Sequence, residues 1–147
     1  MIFAAISSLA IGYWQARRKR AKVTLFVENR FESRYVWNLY GPNPPLPSHD
    51  YLILRVAVPN DGPGIVIRKC RLEIWSDGQN GATTEAHSRA RLPRRLDRGD
   101  WHEETITVDE LKQFAISLGI SRGFRVKAIV EDSVGNLYTS KDYEFRD

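Results

Sequence analysis

Three histidines, one cysteine and a scatter of carboxylates are the residues of this chain that could do chemistry, and their spacing supports little of it. His102-Glu103-Glu104 begins like the helix motif of zinc proteases, where two histidines four residues apart hold the metal and a glutamate acts as base, but position 106 is Ile106. Cys70 has no second cysteine with which to form a disulfide or a structural zinc site. It falls on the apolar parity of its segment, which predicts a packed small hydrophobe with no general base beside it. His49 and Asp50 are adjacent and could form a dyad, yet they follow a proline-rich stretch with no serine or cysteine partner in view. His87 sits alone in a polar segment. Asp61-Gly62 and Asp132-Ser133 read as turn carboxylates rather than calcium ligands, and no glycine-rich phosphate loop occurs. The expectation is a protein that is not an enzyme and carries no cofactor and no metal.

Charge offers a second candidate. Arg89, Arg91, Arg94, Arg95 and Arg98 crowd one ten-residue stretch, and Asp100, Glu103, Glu104, Asp109 and Glu110 follow over residues 100–110. The five arginines are the candidate docking patch for an acidic partner; the competing reading is a solvated face that its neighbours partly neutralise. Arg98-Gly99-Asp100 matches an integrin-binding tripeptide but is best explained as a tight turn. The formal net charge of +4 does not describe the body of the chain. Taking the five bases of residues 17–22 from the 22 Lys plus Arg leaves 17, against 18 Asp plus Glu. A near-neutral body disfavours nucleic acid as a partner.

Those five bases belong to the clearest signal in the sequence. Residues 1–16 carry no charge, and Arg17, Arg18, Lys19, Arg20 and Lys22 follow at once. Sixteen residues of helix rise about 24 Å, against a hydrocarbon core of about 30 Å, so a span would be short. Tyr13 and Trp14 stand where amphipathic rings prefer the headgroup level, and the basic flank can reach into that layer and favours anionic lipid. A cleaved signal peptide would carry its charge before the apolar core, and an interfacial helix would show a one-sided apolar stripe. Neither pattern is present, so the expectation is an uncleaved anchor, with a helix buried in protein, a signal peptide or a mis-set start codon as the alternatives. For an anchor, the basic flank keeps residues 22 onward on the cytoplasmic side.

The rest of the chain must supply elements that position these residues, and its dominant pattern is period two. Residues 22–29 alternate Val23, Leu25 and Val27 with polar neighbours, and residues 33–40 are aromatic-rich and read as a second strand. Residues 41–50 hold four prolines and read as an extended surface loop. Leu52, Leu54, Val56 and Val58 mark a strong central strand, followed by a turn over 59–64. Ile65 and Ile67 share one parity and Cys70, Leu72 and Ile74 the other, which predicts a bulge or bend near Arg68-Lys69. Residues 83–92 read as a polar edge. The strand from Trp101 leaves two parities open, Trp101-Glu103-Thr105-Thr107 or the one through Ile106 and Val108. Leu111, Phe114, Ala115 and Leu118 have helical spacing, with Asp109 as cap or Thr107 and Glu110 as a capping box, and Gly119 beyond the end. Phe124 to Val130 alternate, 132–136 form a hairpin loop, and Leu137 to Phe145 read as the last strand.

Short strands with regular turns and a single helix describe a mainly β fold, an immunoglobulin-like β-sandwich with one short crossover helix, preceded by an N-terminal hydrophobic helix. The division is residues 1–21 for the anchor with its basic flank and 22–147 for the sandwich. Three strings, 58–67 (VPNDGPGIVI), 92–100 (LPRRLDRGD) and 131–138 (EDSVGNLY), make the chain resemble small uncharacterised bacterial and phage proteins that join a hydrophobic helix to an immunoglobulin-like sandwich. The resemblance implies fold and setting and brings no reaction with it. The function expected is a membrane-tethered binding or scaffolding module that presents loops or an edge strand to an unknown protein partner, with membrane lipid as its other partner. The alternatives are a subunit of a phage or secretion-type assembly, its N-terminal helix buried between subunits, and nucleic-acid binding through the arginine stretch.

Overall fold

Leu52, Leu54 and Val56 point one way from an extended strand, and their burial organises one half of the molecule. A computed structural model describes residues 20–31, 48–78, 81–88 and 90–146. Within it, β2 (Ser48–Ala57) is the centre of a three-stranded antiparallel sheet, with β1 (Lys22–Phe31) on one side and β6 (Trp101–Thr107) on the other. The register lays three rows across the inner face. They are Val23, Val56, His102; then Leu25, Leu54, Glu104; then Val27, Leu52, Ile106. Two of these rows end on a polar residue at β6.

A six-stranded sheet faces this one. Its centre is the antiparallel pair β3 (Ile65–Trp75) and β7 (Phe124–Asp132), matched at Cys70 with Val130, Leu72 with Ala128 and Ile74 with Val126. The short strands β4 (Ala82–Thr84) and β5 (Arg94–Leu96) both pair with β3, while β8 (Leu137–Thr139) and β9 (Tyr143–Phe145) both pair with β7. Ile67, Leu72, Ile74, Leu96, Val126 and Val130 of this sheet share one core with Leu52, Leu54 and Val56 of the other. Full burial of each aliphatic side chain contributes roughly 1.5–3 kcal/mol, and this shared core is what joins the layers.

The bulge expected near Arg68-Lys69 is present: the β3–β7 register shifts between Ile67 and Lys69, so Ile67 and Cys70 both point inward despite their odd spacing. The last strand is broken where one strand was expected. Ser140 sits in the gap, its hydroxyl accepting the Ala128 N–H at 2.9 Å while its own N–H donates to the Ala128 carbonyl at 3.0 Å. Residues 48–50 belong to β2 instead of the proline loop, and the strand expected over 33–40 lies outside the described residues.

Helix α1 (Val108–Ser117) follows β6 without a linker. Of the two caps the sequence allowed, Thr107 is the one used: its hydroxyl accepts the Glu110 N–H at 3.1 Å, and the Glu110 carboxylate accepts the Thr107 N–H at 3.2 Å. Leu111 and Ala115 bury the apolar stripe, and Gly119 takes the left-handed conformation at φ 80° just beyond the end. The cap pins the end of β6 and so the parity of that strand.

Candidate functional site

β6 resolves its open parity toward the side that carries the polar residues. His102, Glu104 and Ile106 point into the core, and Trp101, Glu103 and Thr105 point out. The reason lies in the rows above: Val56 and Leu54 require inward-facing neighbours, and the register brings His102 and Glu104 there. His102 is 0% exposed and Glu104 4%. Across the core, Cys70 of β3 reaches them, and its sulfur, a ring nitrogen of His102 and a Glu104 oxygen all lie within 4.8 Å of one another.

Arg94 of β5 completes the group, with its terminal nitrogen 3.1 Å from Nδ1 of His102. A guanidinium can only donate, so Nδ1 accepts and the ring proton sits on Nε2. Nε2 stands 3.3 Å from Oε1 of Glu104 and donates to it. The Cys70 sulfur lies beside the same carboxylate, within 4.8 Å. Burial pushes the thiol pKa far up, and the neighbouring charge of Glu104 pushes it further. The result is a closed chain, Arg94 to His102 to Glu104 from one side and Cys70 to Glu104 from the other. It pairs one buried anion with one cation through a neutral ring. Such a thiol is a poor nucleophile, because the reactive species is the thiolate.

Cys70 is therefore buried, as expected, but the expectation that no base lies near it is corrected: Glu104 is beside it. The sequence carries the signal only in part. His102 and Glu104 two residues apart on a strand share a face, whereas the approach of Cys70 from the opposite sheet is long-range and leaves no local trace.

The five arginines of the candidate docking patch do not act as one surface. Arg89 lies outside the described residues, Arg91 is exposed, and Arg94 turns inward to His102. Arg95 and Arg98 line a cleft of about 680 Å³ with Asp97, Asp132, Asn136 and Tyr138. On β5 this is period two again, with Arg94 in and Arg95 out. At the cleft, Asp132 accepts from the N–H groups of Val134 and Asn136, from the Asn136 side-chain amide and from the Tyr138 hydroxyl, at 2.8–3.1 Å. Burial alone would raise the Asp132 carboxyl, but these bonds outweigh it and hold the pKa below the ordinary range. It is a turn carboxylate, as the hairpin pattern predicts. The Arg98-Gly99-Asp100 segment is a tight turn: Asp100 N–H donates to the Asp97 carbonyl at 3.0 Å, and Gly99, at φ 77°, passes Asn60 so closely that a Cβ would lie 2.6 Å from Oδ1.

The outer face of β6 has a different character. Glu103 binds Arg30 at 2.7 Å and Arg55 at 3.1 Å, and the Arg55 guanidinium lies over the rings of Phe26 at 4.9 Å and Trp101 at 5.1 Å. Burial tends to raise the Glu103 pKa, but the two guanidinium groups prevail and lower it. Trp101 remains 54% exposed. His49 and Asp50 do not form a dyad: they are neighbours on β2 and so point to opposite faces, His49 meeting the Tyr51 ring edge-on while Asp50 accepts from Asn29 at 2.8 Å. His87 bridges to Thr105 through its backbone.

Of the membrane-flank residues, Tyr13, Trp14, Arg17, Arg18 and Lys19 lie outside the described residues, and Arg20 is exposed. Among the described residues no helix is long and apolar enough to cross a membrane. No protein-family model and no curated protein matches the chain.

Proposed function

We propose that the chain is a non-catalytic, membrane-tethered binding module, an immunoglobulin-like sandwich held on the cytoplasmic side by residues 1–16 and their basic flank, that offers the rim of β1 to a protein partner. The observation that carries this reading is the position of β1. It is ten residues long, starts at Lys22 directly after the basic run, and among the described residues pairs on one side only, with β2. Such a rim presents backbone N–H and C=O groups to an incoming strand. The other long edge of the same sheet, β6, is partly covered by the backbone bridge from His87.

The same register supports an orientation. Lys22 pairs with Ala57, Ala57 pairs with Trp101, and Val58 is bonded to Asp100, so the 97–100 turn stands at the end of the molecule nearest the flank. Arg95 and Arg98 of the cleft belong to that end, where anionic headgroups would meet them. The resemblance to small anchored proteins of bacteria and phages agrees with this setting.

Two measurements test the reading on the full chain in its membrane. Flotation with anionic vesicles should carry the full chain and leave a chain starting at Lys22 behind. A photo-crosslinking residue at Thr24 or Glu28 should capture one partner that a crosslinker at Thr139, on the opposite sheet, does not; equal capture from both would refute the β1 rim.

A further inference from the structure

We infer that Cys70, His102 and Glu104 form a latent site for a divalent transition metal, zinc above all, with Arg94 supplying the balancing positive charge while metal is absent. The three groups are a thiol, an imidazole and a carboxylate, the ligand types of zinc, carried by β3 and β6 from facing sheets. Bonds of about 2.0–2.3 Å to a tetrahedral ion place ligand atoms roughly 3.3–3.8 Å apart. His102 Nε2 and Glu104 Oε1 already stand at 3.3 Å, and the full set fits within 4.8 Å, so a side-chain adjustment of about 1 Å at Cys70 closes the triangle. A water molecule would have to enter with the ion to supply the fourth ligand.

The charges balance in both states. Without metal, the Glu104 carboxylate is matched by the Arg94 guanidinium through the neutral ring. With metal, the thiol gives up its proton, and a dication, a thiolate and a carboxylate sum to zero. The ring proton moves from Nε2 to Nδ1, which frees Nε2 to bind the ion and turns Nδ1 from acceptor to donor. Arg94, itself a donor, then loses its partner and swings outward, which its half-buried position allows. One proton, from sulfur, leaves for each ion bound, and no redox step is involved. Cys70 is held protonated by burial and by Glu104, and a dication beside the sulfur reverses both influences.

Titration of the metal-free full chain with Co²⁺ tests this. The expected result is one ion per chain, a sulfur-to-cobalt charge-transfer band, intense visible bands of a four-coordinate ion, and release of one proton per ion. Zn²⁺ should displace Co²⁺ and raise Tm. Cys70→Ser should abolish the charge-transfer band. Arg94→Gln keeps all three ligands and should tighten binding by about tenfold, the scale on which outer partners of metal-bound histidines act. The double variant His49→Ala/His87→Ala should behave as the parent. Absence of the band in the parent chain, its persistence in Cys70→Ser, or weaker binding in Arg94→Gln would each overturn the inference.

Discussion

Glu103 and Glu104 are adjacent on β6 and live in opposite worlds. Glu103 faces out, where Arg30 and Arg55 bind it in reach of water, and Phe26 and Trp101 flank the arginine. Glu104 faces in, where its partners are a histidine and a thiol and its balancing cation stands one ring away. The outer carboxylate is strongly paired yet tolerant of change, because it holds two cations, each well exposed, and either one can be lost to water while the other remains. The inner one depends on every member of its chain, since a buried charge that loses a partner has no solvent to turn to.

The largest effect should come from breaking the inner chain on one side only. His102→Leu removes the group that links Glu104 to Arg94 and should lower unfolding free energy by roughly 3–5 kcal/mol, read from the urea midpoint. The double variant His102→Leu/Glu104→Leu removes the anion as well and should recover most of that loss. If the double variant is as unstable as the single, the inner chain is a packing feature and not an electrostatic one.

On the outer face, Glu103→Gln should cost only about 1 kcal/mol, and the cost should shrink in high salt. A loss as large as that of His102→Leu would erase the contrast. The acid side of the stability curve sharpens it. Glu103 and Asp132 both have pKa values lowered in the folded protein. Each therefore contributes stability that is full above the unfolded carboxylate value of about 4 and fades as pH falls through the lower native value. Glu103→Gln should flatten the pH dependence of Tm in that acid window and leave it unchanged near neutrality.

The smallest effect concerns the junction that fixes the parity of β6. Thr107→Ala removes one half of the capping box and should cost about 1 kcal/mol. Hydrogen exchange in α1 should rise while the core of β3 and β7 keeps its protection.

How much of this was legible in the sequence depends on the range of the interaction. The bulge at 67–69, the box of Thr107 and Glu110 and the hairpin at 132–136 are local events written in neighbouring residues, and each is found where the pattern puts it. The parity of β6 was ambiguous for a physical reason: the buried face carries His102 and Glu104, so apolar counting alone does not choose it. The arginine run was visible as composition, but alternation on β5 sends Arg94 and Arg95 to opposite sides. The meeting of Cys70 with β6 needed the two sheets to be stacked, and nothing in a single strand records that. The break at Ser140 was hidden because serine suits an exposed strand position as readily as a gap.

That break bears on how copies of the chain could associate. On the larger sheet each outer flank is shared by two strands of three residues, β4 and β5 on one side and β8 and β9 on the other. Neither gives an incoming chain a continuous template. With β6 partly occupied as well, β1 is the one long open rim among the described residues, and two molecules meeting there consume it. Among the described residues, such a pair would use the one long open rim on each molecule, which favours a closed dimer over a growing fibre.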